Sequence, residues 1–469
     1  MFNYISNFFK RRTEPQLVRF KYDAAQTTRD NKSRWIMADD LSADASMSPE
    51  IRRTIRNRAR YETSNNSYAR GLILTLADIC IGTGARLQLL TEDKKYNSKV
   101  EQEFAAWSET INLGEKLKTL RKSKCVDGEG FAVMVKNPKV NHPVTIDLRL
   151  IECERVTTPF PTFTKKIDGI DYDQYGNPVS YDILKEHPGN LWHRLLNTAE
   201  KIPAQYVLHW YRQDRPEQSR GLSELVPTLS LFAQLRRYTE AVLTSAETAA
   251  DLVGVLYNDT LFGEDGLPDK VENNLVRFEK GMIAVMPNGM KFEQLKAEQP
   301  TTNYQMFKRE ILSEIGRCLQ IPVNIILGDS SNFNYASGRL DHQIFYKSIK
   351  NEQNHCEKVV LFPLLEMWYR EAVRIGLIEE RPISQISSQY ARFYWDSVEH
   401  VDPLKEAKAA ATRIDSKMSN LLIECAKLGL DWEDTVRQAA REDELLKKLG
   451  LQKVKPNDNN NNEESENEE

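Results

Sequence analysis

Apolar side chains recur at three- and four-residue steps along much of this 469-residue chain, a spacing that predicts amphipathic helices. Ser48 and Pro49 predict a helix start, because a serine can cap free N–H groups and proline fits the first helical position. An apolar helix is predicted over 68–81, where a pair of glycines ends it. Further helices are predicted over 98–124, 224–251, 302–320, 338–375 with an interruption at Pro363, and in pieces over 398–450.

Between these helices the chain carries short runs rich in apolar residues and bounded by Asn, Gly and Pro, a pattern that predicts strands. They lie over 86–90, 131–135, 144–151, 180–184 and 206–210. Within 252–300, strands are predicted over 253–257 and 282–286, and Asn288-Gly289 is a hairpin signal. Two long helices therefore flank a small β insert.

Three segments lack the apolar periodicity that a core needs. Residues 328–338 predict a polar loop, and residues 451–469, rich in asparagine and glutamate, predict a disordered acidic tail. Residues 1–12 place aromatic side chains before a basic cluster without a small-residue cleavage site. This order favours a short docking arm over a signal peptide.

The net charge of −4 argues against a protein that simply coats nucleic acid, because such domains carry a basic excess. It permits a protein through which DNA slides. The N-terminal region is nevertheless rich in arginine, with a cluster formed by Arg52, Arg53, Arg56, Arg58 and Arg60. At this spacing several of them share one helix face, for which we favour a solvated face over contact with DNA or an acidic neighbouring subunit.

The cysteines, histidines and apolar runs narrow the class of protein further. Six cysteines without CxxC spacing predict buried free thiols in a reducing compartment, and the seven histidines lack metal-ligand spacing. The longest apolar run, 71–81, is broken by Asp78 and is far shorter than a bilayer span. We therefore expect no membrane partner.

Local catalytic patterns are absent from the sequence. There is no GxxxxGK[ST] phosphate loop, no HExxH and no GxSxG, and two Gly-x-Gly pairs lack the third glycine of a dinucleotide site. Asp168, Asp171 and Asp173 could hold a divalent metal, although an acidic turn between strands is the favoured interpretation. We expect no enzyme, no cofactor and no bound metal.

Four groups of short stretches, taken in order, are more informative than any single motif. They are RNRARYE (56–62) with NNSYARG (65–71) and 79–84; RGLSELVP (220–227); IPV (321–323) with LGD (327–329) and NYASGR (334–339); and Trp395 with VDPLKEA (401–407) and GLDWE (429–433). In this order the chain resembles the lambda-type portal proteins of tailed bacteriophages, from about residue 30 to about residue 450.

The resemblance implies an α+β portal fold with a mixed α/β wing, a helical stem, a small β-rich clip and a helical C-terminal crown. The implied segments are an N-terminal arm (1–29), wing (30–223 and 339–397), stem helices (224–251 and 302–327), clip (252–301), tunnel loop (328–338), crown (398–450) and acidic tail (451–469).

The resemblance also implies a ring, typically of twelve copies, that serves as the channel for DNA packaging and ejection at one capsid vertex. Its expected partners are further copies of itself, double-stranded DNA, the large terminase subunit, head-tail adaptor proteins, and the major capsid and scaffold proteins. Such a ring would assemble in the host cytoplasm and reside in the virion. Two alternatives stay open: a capsid-associated adaptor without a channel, and a metal-dependent nuclease that uses the carboxylates within 168–173.

Candidate contact residues follow from the same resemblance. They are Ser330, Ser331, Asn332, Phe333, Asn334 and Tyr335 in the tunnel loop; Lys308, Arg309 and Arg317 on the second stem helix; and Asn258, Asp259, Asn288 and Gly289 in the clip. For the basic residues, reduced repulsion of DNA and intersubunit ion pairs are equally open. For the loop, transient DNA contact is favoured over an ordinary surface loop, because long polar loops in compact proteins are usually functional.

Overall fold

The computed structural model describes residues 29, 32–33, 35–158, 167–190, 198–250, 254–258, 290–294, 302–331, 335–382, 388–396, 403–428, 430 and 432–450. Helices and small antiparallel sheets are mixed along the chain, in agreement with the predicted α+β class at that level. The predicted arm, apart from its last residue, and the predicted acidic tail lie outside the described residues.

Five helices form most of the N-terminal part: α1 (Ala43–Ser46), α2 (Pro49–Asn65), α3 (Ser67–Ile81), α4 (Lys94–Thr110) and α5 (Leu113–Asp127). Ser48 caps α2 as predicted, because its hydroxyl accepts the Ile51 N–H at 3.4 Å. The single helix predicted over 98–124 is instead two helices. Asn112 adopts a left-handed conformation (φ 54°), which ends α4 and lets α5 turn its own apolar face into the same core.

The described strands are β1 (Arg86–Leu89), β2 (Glu129–Lys136), β3 (Ile146–Ile151), β4 (Ile170–Tyr172), β5 (Pro178–Leu184), β6 (Ala199–Pro203), β7 (Val207–Tyr211), β8 (Gly254–Asn258), β9 (Met290–Gln294) and β10 (Ala391–Tyr394). All pair antiparallel, in two three-stranded sheets of order β3-β2-β7 and β4-β5-β6 and in two pairs, β1-β10 and β8-β9. The central strand β2 is buried along most of its length, as its continuous apolar sequence indicates.

The middle of the chain has the helix–strand–helix order that the sequence predicted, although the strand predicted over 282–286 lies outside the described residues. Helix α6 (Leu229–Ala250) packs on α7 (Thr302–Leu319), where the Tyr238 and Phe307 ring centroids lie 4.6 Å apart, and the β8-β9 pair lies between them in sequence. After α8 (Val323–Leu327) come α9 (Tyr335–Cys356), a π-helical segment (Glu357–Leu361) and α10 (Phe362–Arg374). Pro363 lies in the first turn of α10, so the π-helical segment just before it marks the predicted interruption.

The described residues of the C-terminal part form three helices, α11 (Pro403–Asp415), α12 (Leu421–Lys427) and α13 (Trp432–Lys448). From Val436 onward nearly all of α13 is exposed, and apolar side chains such as Leu445 remain in water. A single copy therefore leaves much of this helix without a packing partner.

One large core joins the N-terminal helices, the β3-β2-β7 sheet and helices α6 to α10. Phe104 lies edge-on to Trp368 with ring centroids 5.2 Å apart, and the buried Trp107 indole donates to the Ile146 carbonyl at 2.9 Å. A smaller core fills the space between the two three-stranded sheets around Phe131.

The cysteines and the helix lengths can be compared with the predictions of buried free thiols and of no membrane partner. All six cysteines are free and five are buried as predicted, whereas Cys318 on α7 is exposed. Among the described residues, no helix is both long enough and apolar enough to cross a membrane.

Candidate functional site

Glu129, the first residue of β2, is fully buried, and its carboxylate accepts hydrogen bonds from three side chains and one backbone N–H. Arg220 donates twice, from Nη2 to Oε1 at 2.6 Å and from Nε to Oε2 at 2.9 Å. The Gly221 N–H and His209 Nε2 each lie 3.1 Å from Oε2, and Arg56 Nη2 lies 3.4 Å from Oε1. Burial alone would raise the pKa of Glu129, but Arg220 and the hydrogen bonds hold it well below its usual range. This saturated carboxylate joins chain segments and offers no free base.

Two glycines make this contact sterically accessible. Gly128 has a φ of 94°, and a Cβ atom there would lie 2.4 Å from the Leu222 carbonyl carbon. A Cβ atom on Gly221 would lie 2.1 Å from the Gly128 carbonyl oxygen. The two backbones cross at a distance that only glycine allows, and this crossing brings Arg220 onto Glu129.

The arginines of α2 have a role that differs from both interpretations offered for them. Arg52, Arg56 and Arg60 point inward, and the first two are 5 % exposed. Their ion pairs are Arg52–Asp168, Arg56–Glu154 at 3.4 Å, Arg60–Asp127 at 2.7 Å and Arg60–Glu154 at 2.8 Å. Only Arg53 and Arg58 are exposed, so the predicted solvated face was wrong for three of the five. The four-residue spacing places these three arginines on one face of the helix, and that face meets acidic residues that are largely buried.

A second buried cluster ties α5 to α9 and to the segment that leads into α6. Arg121 donates to Glu224 at 3.0 and 3.1 Å, and Lys124 pairs with both Glu224, at 3.6 Å, and Glu352. Lys124 is completely buried, with its ammonium 5.2 Å from the centre of the Trp210 ring. Burial opposes ionisation of Glu224, yet Arg121 and Lys124 lower its pKa to about 2. We call these four charged residues the α5–α9 cluster.

The predicted tunnel loop is shorter than the sequence suggested. Ser330 and Ser331 are exposed, and Ser331 donates its N–H to Asp329 Oδ1 at 2.9 Å. Residues 332–334 lie outside the described part of the chain. Helix α9 begins at Tyr335, so the last four residues of the predicted loop are helical. The sequence did not predict this helix start because its first residues are polar, and the buried apolar residues of α9 come later, at Phe345 and Ile349.

The predicted basic stem residues all lie on α7 but differ in environment. The Lys308 ammonium lies 5.0 Å from the centre of the Tyr68 ring and 5.8 Å from that of Tyr304, and Arg309 is half-buried. Arg317 is exposed, and the described part of the chain offers it no ion pair. Reduced repulsion of DNA and intersubunit ion pairs both remain predictions for these residues.

Of the predicted clip residues, only Asn258 is described. It ends β8, opposite Met290 at the start of β9. Asp259, Asn288 and Gly289 lie outside the described residues.

The carboxylates of the nuclease alternative are not brought together among the described residues. Each has partners of its own: Asp168 pairs with Arg52 and Arg220, Asp171 with Lys201 and Ser180, and Asp173 with Asn177. Asp173 accepts the Asn177 N–H at 2.8 Å inside a turn, in line with the favoured acidic-turn interpretation.

A group that the sequence did not single out, Glu152, Glu154 and His187, has the spacing of metal ligands. His187 Nε2 lies 3.2 Å from a Glu152 oxygen and 3.7 Å from a Glu154 oxygen. However, the Gly189 N–H donates to His187 Nδ1 at 3.0 Å, so in the neutral ring the proton lies on Nε2. That nitrogen faces the carboxylates as a donor, and Glu154 is already bound by two arginines. With Nδ1 accepting from Gly189 and a proton on Nε2, the neutral ring has no lone pair left for a metal, so this group does not fit a metal site.

The residues that sequence reasoning missed are the acids and Arg220 of the two buried clusters. Two signals pointed to them: arginines four residues apart on one helix, and a charged residue at the start of an apolar strand, in GEGFAVMV. Neither signal identifies its partner, because Glu129 and Arg220 are 91 residues apart.

Comparisons with known proteins agree with the resemblance. A probable portal protein of Halomonas phage phiHAP-1 is 24% identical over 472 residues, covering 94% of this chain and 89% of the relative. Portal protein B of Escherichia phage lambda is 20% identical and covers 87% of each chain. Neck structures of the empty and the native gene transfer agent particle match with a TM-score of 0.44 each, at 13% and 14% identity. They cover 83% and 82% of this chain and 94% of theirs.

The family model that matches is described as "Phage portal protein, lambda family", and it spans residues 28–353, more than two thirds of the chain. Portal proteins are structural, non-enzymatic phage components, so the prediction that this chain is not an enzyme is confirmed. The chain belongs to the lambda family of phage portal proteins.

Proposed function

We propose that this chain forms a ring of about twelve copies at one vertex of a phage capsid, with a central channel for double-stranded DNA. The ring serves packaging and ejection, and it is the platform for the large terminase subunit, head-tail adaptors, and capsid and scaffold proteins. It assembles in the host cytoplasm and remains in the virion. Membership of the portal family is the observation that carries this proposal.

Exposed apolar side chains support self-association. Leu243 on α6, Met306 and Phe307 on α7, and Leu340 and Ile344 on α9 are 46–66 % exposed in the single copy. Monomeric proteins rarely leave contiguous apolar surface in water, and obligate interfaces bury such surface, often more than about 2,000 Å² in total. In a cyclic ring each copy contributes two different surfaces, one for each neighbour.

The charge distribution suits a channel through which DNA moves. The acidic tail 451–469 contains six acidic and two basic residues, a net charge of −4 that equals the net charge of the chain. Residues 1–450 therefore carry equal numbers of acidic and basic residues. Without a basic excess, few counterions are released on DNA contact, so DNA is not held tightly.

Within this proposal the candidate contact residues keep the roles that the resemblance implied. Ser330 and Ser331, at the start of the polar loop, contact DNA transiently in the channel. Lys308, Arg309 and Arg317 either reduce the repulsion of DNA or form ion pairs between subunits. Asn258, at the end of β8, belongs to the surface that contacts terminase or adaptor proteins.

Native mass spectrometry with negative-stain imaging of the purified chain tests the proposal. Twelve copies of 54.1 kDa would give a particle of about 650 kDa with a central hole. A chain that stays monomeric or dimeric even with scaffold and capsid protein would refute the ring and favour the adaptor without a channel.

A further inference from the structure

The outward face of α7 combines an apolar side chain with acidic ones. Met306 is 66 % exposed, and Glu310 and Glu314 follow it at four-residue steps, so the three lie on one side of the helix. Leu312 and Ile315, on the other side, are buried in the core. Glu310 and Glu314 are exposed and have no ion pair in the part of the chain that the structure describes. A single copy therefore leaves this apolar and acidic face in water.

The outward face of α9 is apolar near its start and basic further along. Leu340 and Ile344 are 64 % and 61 % exposed, and Lys347 follows Ile344 by about one turn on the same side. From Gln343 to Lys358 every exposed charged side chain is a lysine. Among the described residues, Lys347 has no ion-pair partner. The face of α9 thus has the same composition as the face of α7, with charge of the opposite sign.

These two faces fit each other. On both helices an exposed apolar side chain lies about one turn, or about 5.4 Å, before an exposed charged one. When Met306 packs on Ile344, the long side chains of Glu310 and Lys347 are within reach of each other. A cyclic ring requires two different faces of each copy to be complementary, and opposite charges fix the register of such a contact.

We propose that α7 of one copy packs on α9 of the next copy, with Met306 against Ile344 and Glu310 paired with Lys347. This inference rests on the proposed ring and names the two faces that join its copies. The partner is a second copy because one chain supplies both halves of the contact. DNA fits these faces less well, since the carboxylates of α7 repel phosphate and the exposed apolar side chains of α9 gain little from it.

Charge reversal tests the ion pair in the full chain, under conditions in which the natural chain forms rings. Glu310→Lys and Lys347→Glu should each lower the fraction of full-mass particles in native mass spectrometry by about tenfold or more, because like charges then face each other. The double variant with both reversals should recover the rings.

The matched control combines Glu310→Lys with Lys99→Glu, at an exposed lysine of α4, and should recover none. Intact rings in both single variants, or equal recovery in the two double variants, would overturn the proposal. A Lys347→Glu variant that keeps its rings and loses only DNA retention would assign this lysine to DNA instead.

Thiol crosslinking tests the apolar contact separately from the charges. The exposed Cys318 is replaced by serine, and Met306→Cys and Ile344→Cys are placed in the same chain. A short bifunctional thiol reagent that spans the about 8–10 Å between packed helices should give a ladder of covalent oligomers up to the full ring. Gln305→Cys in place of Met306→Cys is the control, because the exposed Gln305 points in another direction from α7, and this chain should give no ladder.

The outcomes separate this contact from the ring itself. A crosslink within a single chain, or natural rings without a ladder, would refute the pairing of α7 with α9 and leave the proposed ring intact. A natural chain that forms no ring even with scaffold and capsid protein would refute both.

Discussion

Arg220→Ala is expected to lower the free energy of unfolding by about 4 kcal/mol. The guanidinium binds Glu129 at 2.6 and 2.9 Å and also donates to the carbonyls of Cys153, Val156 and Asp168. Its removal leaves a fully buried carboxylate and several carbonyls short of donors. Breaking one side of a buried ion pair costs about 3–5 kcal/mol. We take the middle of that range, because several carbonyls also lose a donor while Glu129 keeps its contacts with Gly221, His209 and Arg56.

Urea unfolding followed by circular dichroism measures the change. Arg212→Ala is the matched control, since Arg212 pairs with Asp214 at 2.7 Å while both side chains are about half exposed. Exposed pairs contribute at most about 1 kcal/mol, so the control should stay close to the natural chain. Replacing both Arg220 and Glu129 by methionine should recover much of the loss, because apolar pairs can replace buried ion pairs. A loss for Arg220→Ala no larger than that of the control would show that this cluster does not hold the fold together.

Three further predictions address pH, packing and assembly. Because the pKa of Glu224 is lowered from 4.5 to about 2, its ionised form adds about 3 kcal/mol to the free energy of unfolding above about pH 4.5, and this contribution is lost as the pH falls toward 2. In Glu224→Gln the free energy of unfolding should depend less on pH between 4.5 and 2, and an unchanged slope would contradict the prediction. Gly221→Ala should destabilise by about 3 kcal/mol in the same urea assay, because its Cβ would lie 2.1 Å from the Gly128 carbonyl oxygen, and a neutral effect would mean that the two backbones move apart freely. Ile344→Glu should reduce the fraction of full-mass rings in native mass spectrometry without changing the circular dichroism spectrum. The control Gln343→Glu, at the neighbouring exposed position, should leave the fraction of rings unchanged, and intact rings in both variants would exclude this face from the subunit contact.

Most helices and strands could be predicted from the local sequence pattern, because each depends on residues that are close in sequence. The capped start of α2, the apolar helix α3 and the strand β2 agree with the prediction, and the family was recognised from short stretches spread along the chain. The predicted helix boundaries were wrong where the local sequence pattern gives no signal for them. The turn at Asn112 splits a continuous apolar periodicity, and α9 starts at Tyr335 inside a segment without core-forming residues.

What the sequence alone determined was the order and type of the elements, the family and the absence of local catalytic motifs. Only the tertiary structure decided the role of the charged residues. The periodicity of Arg52, Arg56 and Arg60 shows that they share a face, but whether that face meets water or a buried acid depends on what packs against it. Glu129 and Arg220 are 91 residues apart in sequence and are brought together where the backbone at Gly128 crosses the backbone at Gly221, and desolvation makes their pairing strong. Whether a charged residue is buried depends on how the helices and sheets pack together, and the pattern of charges along the sequence does not show that packing.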